Sequence, residues 1–264
     1  MTLIRETILD AVQTTLQPLD YVHAMWQGGA AAFNRADEWS DIDLMIIADG
    51  DHVADTVTAL ETALQSLSPI DIRNELPTPT WHGHWQTFYR LRDTSPFLFI
   101  DCVVLKRSNP NRFLETELHG QAVVHFDKGD FTQPPPFSVE NHIELLKKRF
   151  EAVKVMFNLF HYVMTQKELN RGNSMDALAY YHAFTLRPLV EVLRMQHDPA
   201  RYNFYIRYAK YDLPPEVVVR LEPLFFVTDA ADLATKLTQA GELFTEACAQ
   251  VDFDAIRHKL TGKK

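Results

Sequence analysis

Apolar residues at Ile4, Ile8, Val12 and Leu16 recur at close to 3.6 positions, which predicts an amphipathic helix over 3–17. A short strand follows over 21–26 and ends at Gly28-Gly29. The run 41–48 is β-branched and apolar, with turn chemistry in Asp49-Gly50-Asp51 behind it, so it reads as a buried strand. Val53, Val57, Leu60, Leu64 and Leu67 return to helical spacing. Three more strands are predicted over 69–73, 85–92 and 96–106, the last two separated by Asp93-Thr94-Ser95. The first half is thus a mixed α/β sheet domain.

At Pro134-Pro135-Pro136 the pattern changes, because consecutive prolines neither continue a helix nor fit a central strand. The domain boundary is placed there, giving 1–133 and 134–264. Beyond it Ser138 can cap a long helix whose stripe runs Ile143, Leu146, Phe150, Val153, Phe157, Phe160 and Met164. Further helical runs are predicted over 174–196, 214–226 and 229–249, and Pro188 makes the first of these kinked or double. The second domain reads as all-helical.

Charge and composition narrow the function. The 264-residue chain is 46% hydrophobic and 23% charged, an ordinary globular balance. Its formal charge of −9 lacks the basic footprint that holds nucleic acid by counterion release, and fits a small or cationic substrate better. Cys102 and Cys248 fall in a strand and a helix far apart in sequence and read as buried thiols rather than a disulfide. No stretch resembles a signal peptide or membrane span, so a cytoplasmic protein is expected.

Two places put charge into an apolar strand. Asp41 and Asp43 open the run 41–48 and, as alternate residues, project from one side of it, with Cα atoms roughly 6–7 Å apart. Unmetallated, they would repel each other; a hard divalent cation such as Mg²⁺, which takes carboxylate oxygens together with substrate phosphates, removes that cost. Asp101 interrupts Phe97-Leu-Phe-Ile-Asp-Cys-Val-Val-Leu105 in the same way. If the two strands are neighbours, three carboxylates converge, enough for two cations on an in-line phosphoryl displacement. Gly28-Gly29 ahead of a short helix from Ala30 would leave backbone N–H groups open to a triphosphate. Arg35, Arg73, Arg90 and Lys106 are candidate phosphate partners, with Arg35 and Lys106 favoured by position.

Gly28-Gly29, then Ser40-Asp41-Ile42-Asp43-Leu44, then Asp101 on a later strand resemble the signature of the nucleotidyltransferase superfamily that includes DNA polymerase beta. Chain length, the helical second half and the phrase Arg207-Tyr-Ala-Lys-Tyr-Asp-Leu-Pro-Pro-Glu216 are similar to its bacterial lincosamide and aminoglycoside branch. The resemblance implies that Asp41, Asp43 and Asp101 are catalytic metal ligands and that Gly28, Gly29, Ala30 and Ser40 lie at the triphosphate. It implies two Mg²⁺ ions and ATP or another nucleoside triphosphate. The expected reaction is Mg²⁺-dependent transfer of AMP to a hydroxyl of a small acceptor, antibiotics among the candidates, with release of pyrophosphate. Ala30 and Asn34 depart from the family, where a serine and a further glycine are common. The lost hydroxyl removes one phosphate ligand, while Asn34 can still adopt positive φ.

Other readings stand beside these. The aspartates could cap backbone N–H groups, and Asp101 could pair with Arg90 or Arg92. Asp71 or Glu75 could serve as a general base. His82-Gly-His84 lacks further ligands for zinc and reads as a solvated loop. Tyr202, Tyr205, Arg207, Tyr208 and Tyr211 read mainly as helix packing, with an acceptor pocket as the alternative. As a whole, the chain could also be a non-catalytic nucleotide- or partner-binding scaffold, or could modify a protein or RNA.

Overall fold

A computed structural model describes residues 3–262, which divide by internal contacts between Phe137 and Ser138 into two compact units. The first runs α1 (Arg5–Leu16), β1 (Val22–Gln27), α2 (Gly29–Ala32), β2 (Ile42–Ala48), α3 (Val53–Leu67), β3 (Ile70–Glu75), β4 (Trp85–Leu91), β5 (Phe99–Lys106), α4 (Thr116–His119) and β6 (Val123–Asp127). Six strands form one mixed sheet in the order β3-β4-β5-β2-β1-β6, in which β2 and β5 are parallel and every other pair antiparallel.

Strand alternation divides the sheet into two faces. Ile42, Leu44 and Ile46 of β2 and Ile100, Cys102 and Val104 of β5 bury against Ile8, Val12 and Leu16 of α1 and Leu60 and Leu64 of α3. The intervening residues face the other way: Ile47, Val103 and Leu105 join Ala24, Trp26 and Leu114 in a smaller cluster. Asp43 and Asp101 share that second face, near the N-terminal ends of the two parallel strands. The helix over 53–67 and the strand after it stand where periodicity puts them. β6, which sequence reasoning missed, pairs with β1 through a register shift between Met25 and Trp26.

The second unit is helical: α5 (Val139–Arg171), α6 (Ser174–Tyr181), α7 (Arg187–His197), α8 (Ala209–Asp212), α9 (Pro215–Leu221), α10 (Ala230–Ala249) and α11 (Phe253–Gly262). Ser138 and Asp229 cap α5 and α10 by accepting from Asn141 N and Asp232 N. Between α6 and α7 the chain makes a π turn, His182–Leu186, and Pro188 falls just beyond it, in the first turn of α7. Phe160 and Met164, at the end of the α5 stripe, are only half-buried. Cys102 is a buried free thiol and Cys248 a half-buried one. Among the described residues, no helix is long and apolar enough to cross a membrane.

The tyrosine-rich segment of this unit is more than helix packing. Arg194, fully buried, binds Asp198 at 3.1 Å and Asp212 at 3.2 Å, and donates from Nε to Tyr205 O at 2.5 Å and from Nη2 to Arg207 O. Arg201 closes the cluster on the same two aspartates, at 2.8 and 3.1 Å. Two cations and two anions thus balance inside the unit. They hold the loop in which Tyr205 and Tyr208 sit at φ 53° and 59°. Tyr202 and Tyr205 line a cavity of about 280 Å³ with Arg149, Arg187 and Glu191, while Tyr211 is exposed.

Candidate active site

Asp43 and Asp101 occupy the same rung of the parallel β2–β5 pair. Neighbouring strands lie about 4.8 Å apart, so the two carboxylates leave one face of the sheet side by side. Gly28 N donates to Asp43 O at 2.9 Å, continuing the β1–β2 ladder past its last paired residues. Gly29 then turns under the Asp43 side chain at φ 53°. A Cβ at Gly29 would stand 1.5 Å from Asp43 Oδ2. The glycine pair and the aspartate therefore fit only as a unit: the left-handed backbone needs glycine, and so does the carboxylate above it.

Asp101 is positioned from the other side. His84 N donates to His82 Nδ1 at 3.2 Å, which leaves the ring proton on Nε2, facing Gln86 Oε1 at 3.0 Å. With its oxygen so engaged, the Gln86 amide presents Nε2 to Asp101 Oδ1 at 2.7 Å. Sequence reasoning missed this relay and took the His82–His84 loop as solvated. Both histidines are in fact buried, stacked on each other and edge-on to Phe113, while Trp81 and Gly83 beside them are exposed. Burial lowers the pKa of His84. The local signal was alternation: His82, His84 and Gln86 share a parity just before a strand.

Asp41 stands one residue ahead of β2. Arg5 holds that approach by donating to Ser40 O and Asp41 O, both at 2.7 Å. A cation in the first turn of a helix opposes the helix dipole, and that oddity in α1 was the available signal. Among the described residues no three His, Cys, Asp or Glu side chains are grouped to hold a metal ion. Asp43 and Asp101 share a rung, and Asp41 stands two residues ahead of Asp43, just before β2 begins.

The remaining predicted residues separate. Ser40 Oγ donates to Asp37 Oδ1 at 2.7 Å within a tight turn, and this bond, with one from Trp39 N–H, lowers the Asp37 pKa. Ala30 lies in α2 and its carbonyl accepts from Arg35 N at 2.9 Å. The Arg35 guanidinium lies over the Phe33 ring. Asn34 takes φ 55°, the conformation open to asparagine. Lys106, five residues beyond Asp101 and of opposite parity, is roughly 16 Å along the strand on the α3 side. There it lines a cavity of about 790 Å³ with Glu61, Arg73 and His84. Glu75 pairs with Arg73 at 2.8 Å on that same far side, and Asp71 is held by Arg90, so neither carboxylate adjoins the Asp43–Asp101 rung.

No family model matches the chain, and no curated protein matches it. Among solved structures it is similar to an aminoglycoside 6-adenyltransferase from Bacillus subtilis, with 11% identity, 98% of this chain and 92% of that one covered, and a TM-score of 0.39. It is also similar to a STING-associated CdnE c-di-GMP synthase from Capnocytophaga granulosa, with 15% identity, 95% and 85% covered, and a TM-score of 0.31. A third likeness is to the GLD-2/RNP-8 complex, with 10% identity, 93% and 74% covered, and a TM-score of 0.32. All three likenesses are distant.

Proposed function

We propose that the chain is a Mg²⁺-dependent nucleotidyltransferase that moves AMP from ATP to a hydroxyl of a small acceptor and releases pyrophosphate. The observation that carries this reading is the Asp43–Asp101 rung with Gly29 packed under Asp43. The donor set suits the ion: two carboxylates on one face are what Mg²⁺ takes from protein when phosphates complete its shell. Asp43 and Asp101 would hold it, and Asp41 is assigned as a further ligand, and with it a second ion, from sequence alone. Bound there, the ion would neutralise phosphate charge and lower the pKa of the acceptor hydroxyl.

The chain's own residues do the positioning. Gly28 and Gly29 leave backbone beside Asp43 without side-chain obstruction, which suits the triphosphate; Gln86 fixes the orientation of Asp101 toward the reacting centre. The acceptor oxygen bonds to the α-phosphorus as the bond to the bridging oxygen breaks, the pyrophosphate leaves with that electron pair, and the hydroxyl proton passes to solvent. The α/β unit carries this chemistry. The two free thiols are in keeping with a cytoplasmic setting.

Pyrophosphate release from ATP and Mg²⁺ across a panel of hydroxylated acceptors tests the reading. Asp101→Asn is expected to abolish release while its thermal transition stays at or above wild type, since a repelling charge is lost. Release that survives in Asp101→Asn, or ATP binding indifferent to Mg²⁺, refutes it.

A further inference from the structure

The sheet face that bears Asp101 and Asp43 continues away from the glycine pair as an aromatic surface. Register places Phe88 of β4 opposite Asp101, and Arg90 opposite Phe99, so these side chains share the carboxylate face. Phe99 is two residues from Asp101 on β5, and its ring lies 6.5 Å from that of Phe88. Phe99 is 37% exposed, and beside the N-terminal ends of β2 and β5 Trp39 and Phe97 meet edge to face at 4.9 Å, 60% and 51% exposed. Large aromatic side chains are seldom left open together without an occupant.

The position of this surface says which substrate it faces. Gly28 and Gly29 approach Asp43 from the β1 side, whereas the aromatic surface lies on the β4 and β5 side of the same rung. In an in-line displacement the attacking and leaving groups stand on opposite sides of the phosphorus. With the triphosphate over the glycines, the acceptor falls on the rings. The polar groups flanking them are N–H donors: Gln86 and Arg90, whose charge is matched by Asp71. Donors and ring faces suit a flat ring with acceptor atoms, a preference that net charge alone does not point to.

We propose, resting on the transfer reading above, that the acceptor is a hydroxyl compound carrying an aromatic ring, which stacks on Phe88 and Phe99. The test compares a neutral aryl glycoside with the matching methyl glycoside and with an aminoglycoside, by pyrophosphate release and by quenching of tryptophan fluorescence in the presence of Mg²⁺ and a non-hydrolysable ATP analogue. The aryl compound is expected to show about a five- to tenfold lower KM and Kd than its methyl counterpart. Phe99→Ala and the milder Phe99→Leu are expected to erase that preference, and Val219→Ser, on an exposed position of α9, to keep it. Ring-dependent binding that Phe99→Leu abolishes, without pyrophosphate release, upholds the surface and overturns the transfer reading. Turnover of methyl and aryl compounds with equal KM, an aminoglycoside preference, or aryl binding unchanged in both Phe99 variants overturns the surface.

Discussion

Gly29→Ala isolates the bond between the glycine pair and the carboxylate. The new Cβ would sit 1.5 Å from Asp43 Oδ2, where ordinary contact begins at 3.4 Å, so the two must part by about 2 Å. Asp43 cannot retreat with its backbone, which is paired to β5 on one side and bonded to Gly28 on the other. The carboxylate must therefore swing off its rotamer, at about 0.5–1.5 kcal/mol. Holding alanine at φ 53° adds about 1–2 kcal/mol. Together these, about 1.5–3.5 kcal/mol, lower the thermal transition of the α/β unit by roughly 5–15 °C. A displaced ligand-orienting contact costs about 10- to 100-fold in metal affinity, so Mg²⁺-dependent ATP binding falls by that factor. Calorimetry and ATP titration with and without Mg²⁺ read both effects. A Gly29→Ala protein that melts with wild type and binds Mg²⁺ and ATP at wild-type affinity refutes the reasoning.

Asp212→Ala leaves Arg194 and Arg201 buried with a single aspartate, and urea unfolding should show a loss of about 3–5 kcal/mol from the helical unit; a loss under 1 kcal/mol would contradict the assigned network. Gln86→Leu removes the donor that orients Asp101 and the acceptor of His82 Nε2, so kcat for transfer should fall about tenfold alongside a stability loss of about 1–3 kcal/mol; an unchanged kcat would dismiss the relay. His84, His125, His161 and His197 all have pKa values lowered by burial. The unfolded chain then binds protons first, so stability is full above the ordinary value near 6.5 and falls as pH drops below it. Melting temperatures at pH 7.5 and 5.5 measure this, and a higher value at pH 5.5 would reverse the sign.

The glycine pair, the strand over 42–48 and the helix over 53–67 were legible because each is signalled by neighbours in sequence: turn residues, parity and period. What joined them was not. That Asp43 meets Asp101 depends on a parallel pairing across the whole α3-β3-β4 crossover, and no local pattern encodes its register. β6 is five residues containing one histidine, and it is a strand because β1 offers an edge. Arg194 and Asp198, four apart on a helix, read like any surface ion pair; only the fold buries them. Pro188 announced an interruption in 174–196, while the π turn just ahead of it left no mark in the sequence.

Because the two carboxylates share a rung, their spacing is set by the backbone bonds of the central strands rather than by side-chain freedom. Amides there exchange with solvent only when the whole unit opens, so the rung has no local breathing mode of its own. Asp41 and Trp39, by contrast, ride on the segment between α2 and β2, anchored by Arg5 and one Ser40–Asp37 turn. Substrate-driven adjustment falls to that short segment, and deuterium uptake in the presence of nucleotide should change at 34–41 while 42–48 and 99–106 stay silent.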